Sequence, residues 1–281
     1  MSGASVRESA RKCEIGQTSA LAPSHLQANL IVLPSRYADD FERFCKRNPV
    51  PCPLIAKSAT VGSYNALESW IEGVTDEDLA ANIDIRTDIP KYMVYENGAL
   101  LGDHVDDIKA HWTDDHVAFL IGCSYSFEGA LVDGGLTPSH IRHHRNVPMY
   151  RTNISLCPAG VFDRGTYVVS MRPYRKDDIE KVREITRPFL ATHGEPIAWG
   201  WDAVEKLGIR DIARPDWGDA SVNDNGSPLI LDDEIVPVCF GECGVTPQYA
   251  VVSAGLEGTV MGHAPGHMLV LDCRDGDLVK N

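Results

Sequence analysis

Short apolar runs that stop at Pro or Gly alternate along this chain with segments whose apolar residues recur every three or four positions. Residues 29–33 (NLIVL) end at Pro34 and residues 117–121 (VAFLI) run into Gly122, the mark of two buried strands. Residues 38–46 carry Phe41, Phe44 and Cys45 at helical spacing, and Asn48 and Pro49 stop them. The same reading predicts helices at 5–13, 75–82, 103–112 and 177–187, the last closed by Pro188. Further strands are predicted at 92–95, 166–171, 235–240 and 268–271. Strands alternating with helices predict an α/β fold whose sheet has parallel content. Residues 216–233, rich in Gly, Asp, Asn and Pro, predict a surface loop.

Charge narrows the function. The 281 residues hold 26 Lys and Arg against 40 Asp and Glu, a net −14, and that field argues against a nucleic-acid partner. The apolar runs fall far short of the roughly 20 residues that cross a bilayer, which argues against a membrane partner. Residues 1–20 lack the apolar stretch of a secretory signal. The expectation is a cytoplasmic protein, with the mitochondrial matrix as the alternative. Eight scattered cysteines without a CxxC pair read as free thiols, and Cys239 with Cys243 lacks the second pair that a structural zinc wants. Within this acidic chain, residues 142–187 hold eight Arg, two Lys and five acidic residues, a local +5 that leaves −19 for the remainder. An Arg-rich segment suits bidentate clamping of a carboxylate, and Arg142, Arg151 and Arg172, set among apolar and turn residues, are its candidates.

Four segments could carry chemistry. In FLIGCSYSFEGAL (119–131) a buried strand ends at Gly122, and Cys123, Ser124, Ser126 and Glu128 follow into a helix start, where backbone N–H groups favour anions. Glu128 beside Phe127 and Leu131 is expected to have its pKa raised by desolvation and to carry a proton. Cys123 is a candidate nucleophile. In HIRHHRNVPMYRTNI (140–154), the adjacent His143 and His144 would face opposite ways on a strand, so Arg142 and Arg151 are the better ligand groups. In CFGECGVTPQYA (239–250), Thr246 reads as an N-cap with Pro247 as the first helical residue. GHAPGHMLVLD (262–272) presents His263 and His267 on a loop before a strand. Nucleotide-binding glycine loops, GxSxG and HExxH are absent from the sequence.

Taken together, these segments resemble the hydro-lyase family that includes the D-glutamate cyclases. The matching stretches are QANLIVLP (27–34), FCKRNPVPCPL (44–54), DIRTDIPKYMVYENG (84–98), FLIGCSYSFEGAL, VPMYRTNI (147–154), VVSMRPY (168–174), CGVTPQ (243–248) and HAPGHML (263–269). The resemblance runs in order from about residue 22 to residue 272. It implies a three-layer α/β/α body, residues 1–127 and 234–281, with a smaller two-layer α+β part inserted at 128–233. It also implies dehydrative closure of D-glutamate to 5-oxo-D-proline, helped by a divalent metal, although the residues themselves require no cofactor. The chain departs from the family pattern with Gly241 and Glu242 before Cys243, and with HGEPIAWGWD (193–202), where Glu195 is new and Ala198 replaces an imidazole.

The expected reaction is loss of water from a small carboxylic or amino acid. Arg142 and Arg151, joined by Arg86 or Arg172, would hold the carboxylate, with Thr246 and Gln248 as further substrate contacts. Glu128 would move the proton, the Gly122–Ser124 backbone and Ser126 would stabilise oxyanion charge, and His263 or His267 would protonate a leaving hydroxyl. A non-catalytic organic-acid binding protein is the alternative, and thiol catalysis through Cys123 or Cys243 is a third reading. The expected partner is a small carboxylate, and a homo-oligomer is compatible with the sequence.

Overall fold

A computed structural model describes residues 1–19, 21–223, 225–241 and 244–278. Its first third contains α1 (Gly3–Arg11), β1 (His25–Pro34), α2 (Ala38–Arg47), β2 (Leu54–Ser58), β3 (Leu67–Ser69), α3 (Asp76–Leu79) and β4 (Tyr92–Glu96). Then come β5 (Ala99–Val105), β6 (His116–Gly122), α4 (Tyr125–Asp133), α5 (Ser139–Arg142), β7 (Met149–Ser155) and β8 (Thr166–Arg175). The chain continues with α6 (Ile179–Thr186), β9 (Ala198–Trp199), α7 (Trp201–Lys206), β10 (Ile235–Phe240), α8 (Val245–Ala254), β11 (Thr259–His263) and β12 (Leu269–Arg274).

Helices and sheets are mixed, as an α/β chain requires. One sheet has eight strands in the order β3-β2-β6-β1-β11-β4-β5, with β12 also on β1, and the other has four in the order β7-β8-β10-β9. Residues 235–240, placed with the body by the sequence reading, pair with β8 in the smaller sheet. Every ladder among the described residues is antiparallel, so the expected parallel pairing is corrected. The reason lies in strand order. The unit β1–α2–β2 does bring two strands back in one direction, but β6 lies between them and runs against both.

Both faces of the large sheet are buried, which is why β1 and β6 read as continuous apolar runs. Leu26, Ala28, Leu30 and Val32 of β1 pack with Ile85, Ile89 and Tyr92 on one face. Ile31 and Leu33 pack on the other against Phe41 and Phe44 of α2 and Ala250 and Val251 of α8. The small sheet is also two-faced. Tyr174, Val236, Val238 and Phe240 meet Phe127 and Leu131 of α4 and Val182 of α6, whereas Val169, Met171 and Cys239 meet Leu207 and Ile209 beyond α7.

The helix predicted at 103–112 is a further correction, since its first residues belong to β5. Asn97 and Gly98 both have positive φ, 51° and 79°. They form the tight turn that Asn-Gly favours, and that turn folds β5 back on β4. The local hairpin signal outweighs the acidic pattern downstream.

Candidate functional site

Two groupings of the expected residues emerge, and the first is closed. β6 ends at Gly122, where an added Cβ would stand 2.1 Å from the Ala191 carbonyl oxygen, so only Gly fits. The chain then enters α4, whose first turn presents Glu128. Alternation along β8 turns Val169 and Met171 to one face and Ser170 and Arg172 to the other, toward α4. Arg172 is wholly buried and Glu128 nearly so. Arg172 Nη2 and Nε lie 2.6 and 3.2 Å from Glu128 Oε1, and His140 Nε2 lies 2.9 Å from the same oxygen. The guanidinium also donates to Ser170 Oγ (2.9 Å) and Ser124 Oγ (3.2 Å) and packs against the rings of Phe127 and Phe240.

This arrangement corrects the electrostatic expectation for Glu128. Burial pushes its pKa up, but His140 and Arg172 outweigh burial and hold the carboxyl below its ordinary value. An ion pair of this kind keeps the group a carboxylate. The partner that sequence reasoning missed is His140, which stacks on Tyr125. A second missed imidazole is His193, held at a left-handed φ of 92° with its Nδ1 donating to the Val50 carbonyl at 2.7 Å. Burial, with the charge of Arg172 nearby, pushes its pKa down to about 4. A buried polar residue at positive φ is the signal that only coordinates reveal.

The second grouping is open. A cavity of about 330 Å³ is lined by Val245, Gln248 and Tyr249 of α8, by β4 and β11, and by Ile31 and Trp217. Arg151 projects outward from β7, because Tyr150 and Thr152 on either side point into the protein. Its guanidinium lies 4.6 Å from the ring centre of Tyr249 and 5.4 Å from that of Trp217, both cavity residues. It forms no ion pair with any described residue. Gln248 Nε2 donates to the His263 carbonyl and meets His263 Nδ1, both at 3.1 Å. The Leu30 N–H approaches the same Nδ1 at 3.1 Å, and the Leu30 carbonyl lies 3.4 Å from it. Burial pushes the His263 pKa down to about 4. His263 itself is the last residue of β11, where the sequence reading had a loop.

The other expected residues do other work. Ser126 Oγ accepts the Gln27 N–H at 3.1 Å and ties α4 to β1. Thr246 lies inside α8, whose N-cap is Gly244, and its hydroxyl bonds both backbone groups of Val168 instead of capping the helix. Gly244 abuts Asn29, whose amide donates to the Gly122 carbonyl at 2.9 Å. His267 donates from Nδ1 to the Pro265 carbonyl and meets His104 edge to face.

Arg142 and Arg151, expected to hold the substrate carboxylate together, lie in different surroundings. Arg142 is exposed at the end of α5, in a cleft with Tyr174 and Arg175. Arg151 stacks on Trp217 and Tyr249, which line the open cavity, and Arg86 is engaged by Asp84 beneath the face of Tyr64. Cys123 is buried, and burial pushes the Cys239 thiol up to about 12. Cys243 and Glu242 lie outside the described residues. Glu195 receives Arg183 and Arg187, and Ala198 sits on β9 opposite Cys239. Among the described residues, no three His, Cys, Asp or Glu side chains converge to hold a metal ion. No helix among them is long and apolar enough to cross a membrane.

Fold and sites together define a mixed helix-and-sheet protein that buries a carboxylate between helix and sheet and stacks an exposed arginine on two aromatic residues of a separate cavity. The chain belongs to the D-glutamate cyclase family, whose model matches residues 117–272. It is 44% identical over 275 residues to a protein of Rubrobacter xylanophilus named "Putative hydro-lyase", covering 98% of this chain and 96% of that one. A Bordetella petrii protein of the same description is 48% identical over 257 residues, 92% of this chain and 88% of its own. One from Schizosaccharomyces pombe is 42% identical over 255 residues, 91% and 78% of the two lengths.

Proposed function

We propose that the protein is a lyase that removes water from a small carboxylic or amino acid bound in the cavity beside α8. The observation that carries this reading is Arg151, a guanidinium without an ion pair among the described residues, held over two aromatic rings that line the cavity. Such a group suits a substrate carboxylate. Gln248 Oε1 has no protein partner among the described residues, which offers an acceptor to a substrate hydroxyl or amine. His263, buried behind Gln248 and bonded to it through Nδ1 and its carbonyl, holds that amide in place. Family membership and the printed names of the relatives favour a hydro-lyase, and closure of D-glutamate with loss of water is one reaction of this kind. In this reading Glu128 is not the proton carrier. It fixes the Arg172 and His140 side chains, and no step is assigned to a metal.

The test is to incubate the protein with D-glutamate, other amino acids and hydroxy acids and to look by mass spectrometry for a product lighter by one water. Product that falls with Arg151→Met supports the reading. Stabilisation by an acid without product would instead make the protein an organic-acid binder.

A further inference from the structure

The proposed reaction makes no use of Arg142. Together with Arg175 it lines a cleft of about 530 Å³, the size of a pocket for a small metabolite, which shares no lining residue with the cavity beside α8. The walls are fixed by hydrogen bonds. The Tyr174 hydroxyl donates to the Leu136 carbonyl at 3.1 Å and pins the turn before α5 to β8, and the Ser139 hydroxyl donates to the Val222 carbonyl at 3.3 Å and ties that wall residue to α5. Both arginines are exposed, and the bridge from Arg175 to Glu234, 4.0 Å long between mostly exposed side chains, is worth little. Two like charges on one cleft repel each other, and one doubly charged anion neutralises both. Asp178, also in the wall and without an ion pair among the described residues, repels further negative charge but accepts a hydroxyl. The Thr137 hydroxyl in the same wall has no hydrogen-bond partner among the described residues. We infer that this cleft is a second ligand site, which takes a small hydroxylated dianion, a phosphate monoester or a dicarboxylate, with its charge on Arg142 and Arg175 and its hydroxyl at Asp178 or Thr137.

Calorimetric titration of the whole protein with glycerol 3-phosphate, malate, succinate and acetate tests this. Glycerol 3-phosphate or malate should bind at least about tenfold more tightly than acetate, the worth of one charge-assisted hydrogen bond. The tighter of the two tells a phosphate ester from a dicarboxylic acid. Malate should exceed succinate, which lacks the hydroxyl, by about two- to tenfold. Arg142→Met and Arg175→Met, both at exposed positions, should each weaken the tighter ligand by about tenfold or more, and Arg151→Met should leave it unchanged. Acetate as tight as the dianions, succinate as tight as malate, no binding by any dianion, or affinity untouched by Arg142→Met would overturn the inference. So would a water-loss product that disappears with Arg142→Met, because the cleft would then be the place of reaction and no second site. Dianion binding that needs Arg142 and Arg175, in a protein that removes water from no acid, would uphold the inference while the proposed function falls.

Discussion

Arg172 and Arg151 come from neighbouring strands, β8 and β7, and their surroundings are opposite. Arg172 has no exposed surface, and its guanidinium is spent on Glu128, Ser124 and Ser170. Arg151 is exposed; its guanidinium lies over ring faces, and its backbone N–H donates to the Asp216 carboxylate at 2.9 Å. A charge satisfied on all sides stabilises the fold and has nothing left to offer a ligand. One held loosely over aromatic surface keeps its hydrogen bonds for a substrate. If Arg151 binds the acid as proposed, depth of burial alone chooses the wrong arginine.

The same substitution at the two positions should therefore separate stability from activity. Arg172→Met strips Glu128 of its permanently charged partner and should cost about 3–5 kcal/mol in urea unfolding at pH 7. A loss below about 1 kcal/mol would mean that the cluster is wetter than its packing indicates. Acid should show the next largest effect. His193 and His263 are protonated in the unfolded chain below the ordinary 6.5 but in the folded protein only near pH 4. The unfolded state thus binds more protons between those values, and stability falls as pH drops from about 6.5 to about 4, by about 3 kcal/mol for each imidazole. His193→Asn, which tolerates the left-handed backbone, should flatten that slope by one proton, as should His263→Gln. An unchanged slope would show that these rings are already solvated.

Arg151→Met should leave unfolding within about 0.5 kcal/mol of the parent and lower kcat/KM by about 10- to 100-fold, the worth of a charge-assisted hydrogen bond. A stability loss as large as that of Arg172→Met would erase the contrast between the regions. Tyr249→Leu should act least. Losing one cation–π contact raises the Kd for the acid about two- to fivefold, and a larger effect would make the ring a direct substrate contact.

The elements that could be read from the chain were those in which a local pattern and a local stop coincide. NLIVL ended by Pro34 and VAFLI ended by Gly122 are strands because both faces of their sheet are covered. The Asn97–Gly98 turn was equally local, and the acidic stretch after it misdirected the reading. Antiparallel pairing was hidden because the insertion of β6 between β1 and β2 is a matter of sheet order, which periodicity does not encode. Arg151 could be placed outward from the alternation of MYRTNI. His140 could not be matched to Glu128, since their contact depends on how α5 docks beside α4. His193 was likewise silent, because a strained φ leaves no mark in composition.

Strand β1 is edged on one side by β6, but its other edge is shared by β11 and β12, which arrive only at residues 259–274. While the ribosome is still making the protein, the central strand of the large sheet therefore waits with half its backbone unclosed. Chains that lack residues 259–274 keep that edge bare, and such edges recruit other strands. Residues 259–274 thus close the backbone edge through which one copy could otherwise pair with another.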